Sequence, residues 1–118
     1  MIPGGNTLSK AERLSGKKDV ATLLAGGKWG TCGHFRYCWR PAQDAGMPAR
    51  ILVAVPKRLF KRAVKRNLLK RRIREAYRVR KICGADILFQ YNSAELADFA
   101  AVCADIETIL TIIKGSLS

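Results

Sequence analysis

Residues 57–81 read KRLFKRAVKRNLLKRRIREAYRVRK, and this stretch decides the fold. It holds thirteen of the chain's 22 Lys and Arg residues and a single acid, Glu75, a local balance of +12 in a chain whose formal net charge is +13. From Ala63 no Pro or Gly interrupts it until Gly84, and Leu, Lys, Arg, Ala and Glu dominate, which favours helix. Leu69, Ile73, Ala76 and Tyr77 follow the i, i+4, i+7, i+8 spacing of a stripe buried against a core. Asn67, Arg71, Arg74 and Arg78 fall on another side, with Arg66 and Lys70 beside them. The spacing predicts a helix anchored on one side, basic on another and closed by Gly84.

Three readings compete for the basic ridge. A solvated face is the ordinary one, but soluble helices mix signs at i, i+4, and like charges at that spacing repel. An amphipathic helix for an anionic membrane or a calmodulin-like partner would need its apolar side free. Here that side is aliphatic, lacks Trp and Phe, and is required for the domain's own core. Nucleic acid is the favoured reading, with Lys and Arg neutralising phosphates and releasing counterions.

The whole chain bounds the remainder. At 118 residues and 48% hydrophobic content it is read as one globular RNA-binding domain over 1–118. Residues 1–7 are expected to form a poorly ordered tail. No run approaches the roughly 20 apolar residues of a membrane span. The opening MIPGGNTLSKAERL has no signal-peptide core, so a cytoplasmic location is expected. Cys32, Cys38, Cys83 and Cys103 form no CxxC pair and are read as reduced thiols, at least partly buried. His34 is the only histidine, so no metal or other cofactor is expected on the protein alone.

In order along the chain, Ser9 and Glu12 have capping-box spacing for a short helical turn. A first helix is predicted from Lys17 to Ala25, with Val20, Ala21, Leu23 and Leu24 apolar, ended by Gly26-Gly27. Residues 34–39 alternate as a half-buried strand: Phe35, Tyr37 and Trp39 toward the core, His34, Arg36 and Cys38 away from it. The aromatics could instead be a base-stacking platform, but core is the commoner use. Pro41 to Pro48 reads as a loop, and residues 51–55, ILVAV, as a central strand buried on both faces. Residues 86–91, DILFQY, form another strand. Asn92 or Ser93 is expected to cap a last helix, with Leu96, Phe99, Cys103, Ile106, Leu110 and Ile113 as its stripe. The resulting class is α+β, a small sandwich in the order α-β-β-α-β-α, with room for an extra short strand.

Enzyme chemistry finds no foothold. There is no GxGxxG or GxxxxGK[ST] loop, no visible partner for His34, and the acids look scattered over surface helices.

Residues 63–78, AVKRNLLKRRIREAYR, closely resemble the signature of the bacterial ribonuclease P protein subunit. Ala63, Val64, Arg66, Asn67, Lys70, Arg71, Arg74 and Glu75 fill every position of that motif, and the likeness extends over about residues 8–114. The resemblance implies the family's α+β fold with a left-handed βαβ crossover. It also implies a protein without catalytic residues of its own, a partner to a catalytic RNA that removes the 5′ leader of precursor tRNA using Mg2+ held through the RNA. By position, Arg66, Asn67, Lys70, Arg71 and Arg74 would contact RNA, and a cleft between first helix and sheet would take the leader. No obligate protein partner and no membrane are implied.

The chain departs from the family pattern around the motif. First-helix positions that usually carry Phe are Val20 and Leu24, and the strand face offers Arg36 and Cys38 where an aromatic is common. These four are the candidates for the leader cleft. The turn before the motif lacks the usual glycine, and its Lys57, Arg58, Lys61 and Arg62 are expected to add phosphate contacts, alongside Lys65 and the ridge residue Arg78 on the helix itself. The alternative is a structural RNA-binding protein of ribosomal type with no processing role. A DNA-binding module ranks third, since neither a short recognition helix nor a dimer is readable.

Overall fold

The computed structural model describes residues 12–117. The expected tail and the capping-box residue Ser9 therefore lie outside the described residues. Three helices and four strands follow in the order α1 (Lys17–Gly26), β1 (Lys28–Cys32), β2 (Phe35–Pro41), β3 (Arg50–Ala54), α2 (Ala63–Arg78), β4 (Ala85–Tyr91) and α3 (Phe99–Leu117). The sheet runs β1-β2-β4-β3. β1 and β2 form a hairpin, β2 pairs antiparallel with β4, and β3 lies parallel to β4 with α2 connecting them.

Alternation on β2 sorts the two faces. Phe35, Tyr37 and Trp39 point with Ile51, Val53, Ile87, Phe89 and Tyr91 into the main core, which α2 and α3 cover. α2 contributes the predicted stripe, Leu69, Ile73, Ala76 and Tyr77, each at 0% exposure. Burying Leu69 and Ile73 stabilises by about 1.5–3 kcal/mol each. Burial pushes the Tyr77 phenol up to about 12, so it stays neutral, and its oxygen accepts from the Ile82 amide at 3.4 Å. The opposite sheet face carries a smaller cluster, Leu14, Leu23, Cys38 and Leu88, under α1. Sequence order left β1 without an assigned position. It is the extra strand, added at the edge beside β2.

Several expectations are corrected. β3 is an edge strand, buried on one face and only half-buried at Leu52 and Ala54, whereas β4 is the continuously buried central strand. Residues 13–14 lie against the β3 edge, and the Leu14 amide donates to the Ile51 carbonyl at 2.8 Å. Only Leu23 of the predicted α1 stripe is buried. α2 stops at Arg78, well before Gly84, because Val79 leaves helical geometry and the Arg80 amide turns back to the Tyr77 carbonyl. Residues 94–98 are not helical. The Tyr91 hydroxyl donates to the Glu95 carbonyl and accepts from the Ala97 amide, which holds this bent segment out of the helix. Asp98 then caps α3, accepting from the Ala101 amide at 2.9 Å. α3 consequently buries Val102, Ile106, Ile109, Leu110 and Ile113, while Leu96 and Phe99 are exposed.

The acids are not all superficial. Asp86 on β4 is 1% exposed and is gripped by Arg50, whose Nε and Nη2 each donate at 2.9 Å, and by Arg40 at 3.2 Å. Arg50 also reaches Asp19 of α1 at 3.3 Å. This network ties β2, β3 and β4 together and fixes where α1 crosses the sheet. Gly27 permits the tight exit from α1, since a Cβ there would lie 2.5 Å from the Cys38 sulfur.

Candidate nucleic-acid interface

α2 turns its buried stripe inward, so the opposite side of the helix is the side offered to a ligand. Asn67, Arg71 and Arg74 are exposed there, with Arg66, Lys70 and Arg78 half-buried at its margins. The loop before it is fixed by an apolar anchor in place of a glycine. Phe60 is buried with its ring 5.9 Å from that of Tyr91, and Arg66 donates to the carbonyls of Phe60 and Lys61. Lys57, Arg58, Lys61 and Arg62, and Lys65 in the first turn of α2, are all exposed around that anchor.

The thirteen cations of the basic stretch divide into two groups. Arg66, Arg72, Arg78, Arg80 and Lys81 are held by protein acceptors: loop carbonyls, the Ala97 carbonyl, Glu75, Glu107 and Glu12. Among the described residues, no hydrogen bond or ion pair occupies Lys57, Arg58, Lys61, Arg62, Lys65, Lys70, Arg71 or Arg74. Like charges gathered without counter-ions create a local positive potential that an anionic backbone relieves. Arg78, expected in the ridge, is partly neutralised by Glu75 at 2.7 Å.

The second predicted region lies on the other sheet face. A shallow groove is lined by Leu14, Ser15, Gly16, Lys17, Val20, Ala21, Leu24 and Leu52, so Val20 and Leu24 do border it. Cys38 does not. It is fully buried beneath α1, its thiol donating to the Leu23 carbonyl at 3.5 Å, and burial pushes that thiol's pKa up. A small inward side chain lets α1 sit directly on the strand there. Arg36 is exposed, as expected, and lies over the ring of Trp29, 4.2 Å from its centroid. A second hollow at the β3 edge is lined by Arg13, Leu14, Ser15, Ile51, Leu52, Val53 and Arg74. Arg74 thus joins the α2 ridge to the groove.

His34 departs from expectation. It occupies the two-residue turn between β1 and β2, where its Nδ1 lies 2.8 Å from Asp105 of α3 and its Nε2 3.5 Å from Glu95. It does not face the groove. Gly33 precedes it with φ +55, and a Cβ there would meet Asp105. Cys83 is exposed, not partly buried. Trp29 and Arg13 were missed: the first sits among small residues with no alternation, and the second precedes any element.

The family model described as ribonuclease P matches residues 8–114. The chain belongs to the ribonuclease P protein family. A Porphyromonas gingivalis ribonuclease P protein component is 35% identical over 93% of this chain and 88% of its own length. The Burkholderia mallei counterpart is 34% identical, over 80% of this chain and 76% of its own. An RNase P protein mutant from Staphylococcus aureus superposes with TM-score 0.79 at 27% identity, covering 89% of this chain and 90% of that one. The Thermotoga maritima RNase P protein superposes with TM-score 0.71 at 26% identity, covering 84% and 94%. Family membership makes this chain a protein component of an endoribonuclease that acts in tRNA processing, with an RNA partner. Among the described residues, no helix is long and apolar enough to cross a membrane.

Proposed function

We propose that this protein binds the catalytic RNA of ribonuclease P through the exposed ridge of α2 and the loop before it. The groove beside α1 holds the 5′ leader of precursor tRNA. The observation that carries this reading is the opposition on α2. Leu69, Ile73, Ala76 and Tyr77 are fully buried, while Asn67, Arg71 and Arg74 stand exposed on the other side with no side-chain partner among the described residues. Arg guanidinium groups take phosphate oxygens in bidentate fashion, and Asn67 adds a hydrogen bond to sugar or base. Because Arg74 also lines the hollow at the β3 edge, one RNA surface on the ridge would bring a bound precursor to the groove.

The chemistry of bond cleavage is assigned to the RNA subunit. Magnesium, which the family implies, calls for clustered oxygen ligands. The groups here do not fit it: the ridge is cationic, the Asp86 carboxylate is already taken by two guanidiniums, and among the described residues no group of three His, Cys, Asp or Glu is arranged so that it could hold a metal ion. The protein's part is to neutralise phosphate repulsion between catalytic RNA and substrate, and to hold the leader. It acts by positioning, so its effect should be largest where magnesium is scarce.

Reconstitution tests this. The protein would be mixed with ribonuclease P RNA of the same organism at low magnesium, with a labelled precursor tRNA. Cleavage at the mature 5′ end that needs both components, and falls with Arg71→Ala, is the expected result. Equal cleavage by the RNA alone would overturn the reading and favour a structural role on another RNA.

A further inference from the structure

α1 covers only part of its sheet face. The cluster under it includes Cys38 and Leu88, which face each other across β2 and β4. At the next level Thr31 pairs with Arg36, Arg36 with Gln90, and Ala54 with Gln90, an open strip across all four strands. Trp29, opposite Cys38 at the strip's border, is 41% exposed, whereas Trp39 is 3% exposed. Among the described residues, no hydrogen bond engages the Thr31 or Gln90 side chain. β3 leaves the strip at Ala54 and within three residues enters the basic loop at Lys57.

An indole of this exposure forgoes the stabilisation of burial. The Arg36 guanidinium lies over its ring, and this cation–π contact holds the two side chains together at the surface. We infer that Trp29 and Arg36 form a stacking platform for one unpaired base of the single-stranded leader. This rests on the function proposed above and identifies the residues that hold its substrate. Any base offers a π-face to such a pair, and since no acceptor among the described residues takes the edge donors of Arg36, they can serve the flanking phosphate. Gln90 stands next to the pair with an amide able to bond a base edge. Stacking would then come from the first strand, in a chain whose first helix offers only Val20 and Leu24.

The test uses the full chain reconstituted with ribonuclease P RNA. Binding of a precursor with a several-nucleotide leader is compared with binding of mature tRNA that has none. Trp29→Ala is expected to weaken precursor binding about tenfold, the order of one lost base stack, with mature tRNA unaffected. Trp29→Phe should keep most of the affinity, and Arg36→Ala should lose part of it. Unchanged precursor affinity in Trp29→Ala, or an equal loss for mature tRNA, overturns the platform. A second readout needs no catalytic RNA: intrinsic fluorescence of the protein titrated with a single-stranded RNA oligonucleotide. Trp39 is shielded, so quenching reports on Trp29 and should vanish in Trp29→Phe. Absence of quenching in the parent protein also overturns the platform. Quenching without protein-dependent cleavage would instead overturn the ribonuclease P role and leave the platform standing.

Discussion

Arg66 Nη1 donates to the Lys61 carbonyl at 2.7 Å, and the same nitrogen reaches the Phe60 carbonyl at 2.8 Å. A residue that reads in the sequence as one more phosphate-binding cation is therefore also the clasp between the basic loop and the first turn of α2. It shapes the presentation of Lys57, Arg58, Lys61 and Arg62 besides adding its own charge.

Arg66→Ala and Arg71→Ala should accordingly part company. Both lose RNA affinity in filter binding at fixed salt. Arg71→Ala, exposed and without a partner among the described residues, should leave the unfolding free energy in urea within about 0.5 kcal/mol of the parent. Its plot of log affinity against log salt should flatten by about one phosphate contact. Arg66→Ala should in addition destabilise by about 1 kcal/mol, the worth of its lost hydrogen bonds. Identical stability of the two variants would show that the clasp contributes nothing in solution.

The His34–Asp105 contact predicts a pH dependence with a definite sign. The hydrogen bond to Asp105 raises the His34 pKa above 6.5; burial opposes it and Glu95 assists. A folded-state pKa above the unfolded one means that the stabilisation is complete below pH 6.5 and fades as pH rises through the folded value. Burial pushes up the neighbouring Cys32 thiol, so it does not titrate in this range. Thermal stability should therefore decline as pH rises above 6.5 and through the raised folded-state pKa, and His34→Gln should flatten that decline. A steeper decline in the variant would reverse the assignment.

Asp86 makes the strongest case for a buried charge with a structural purpose. Removing it would leave Arg40 and Arg50 facing each other without their shared carboxylate, and would loosen the tie from Arg50 to Asp19 on α1. Breaking such a buried network costs about 3 kcal/mol. Asp86→Ala should lower the unfolding free energy measured in urea by that amount. Asp86→Asn should lose less, because an amide still accepts one hydrogen bond. If both variants unfold with the parent, the network is energetically idle.

The legible parts of this chain are those governed by one local rule. The α2 stripe at Leu69, Ile73, Ala76 and Tyr77 was readable because helical periodicity and burial coincide there, and the alternation of Phe35, Tyr37 and Trp39 was readable for the corresponding reason in a strand. What escaped depends on tertiary partners. An apolar run such as residues 51–55 does not reveal whether a second neighbour exists, so β3 looked central although β4 holds that place. The partners of Asp86 come from other strands, and those of His34 from α3 (Asp105) and the non-helical segment before it (Glu95). The strand alternation puts Cys38 on the face it occupies, but only the packing of α1 reveals that this position is closed.

The start of α3 separates these two kinds of signal by experiment. Reading the helix from Asn92 or Ser93 makes Leu96 and Phe99 part of a buried stripe, whereas the Tyr91 hydroxyl delays the helix to Asp98 and turns both residues outward. Ile106 is 0% exposed and Phe99 is 47% exposed. Ile106→Ala should cost about 2–5 kcal/mol through lost burial and the cavity left behind. Phe99→Ser should stay within about 0.5 kcal/mol, as for surface sites. Tyr91→Phe removes the hydroxyl that both donates and accepts, leaving the Glu95 carbonyl and Ala97 amide without their partner; a loss of about 1–3 kcal/mol follows. Should Phe99→Ser prove as damaging as Ile106→Ala, the helix begins earlier in solution and its apolar stripe runs through Phe99.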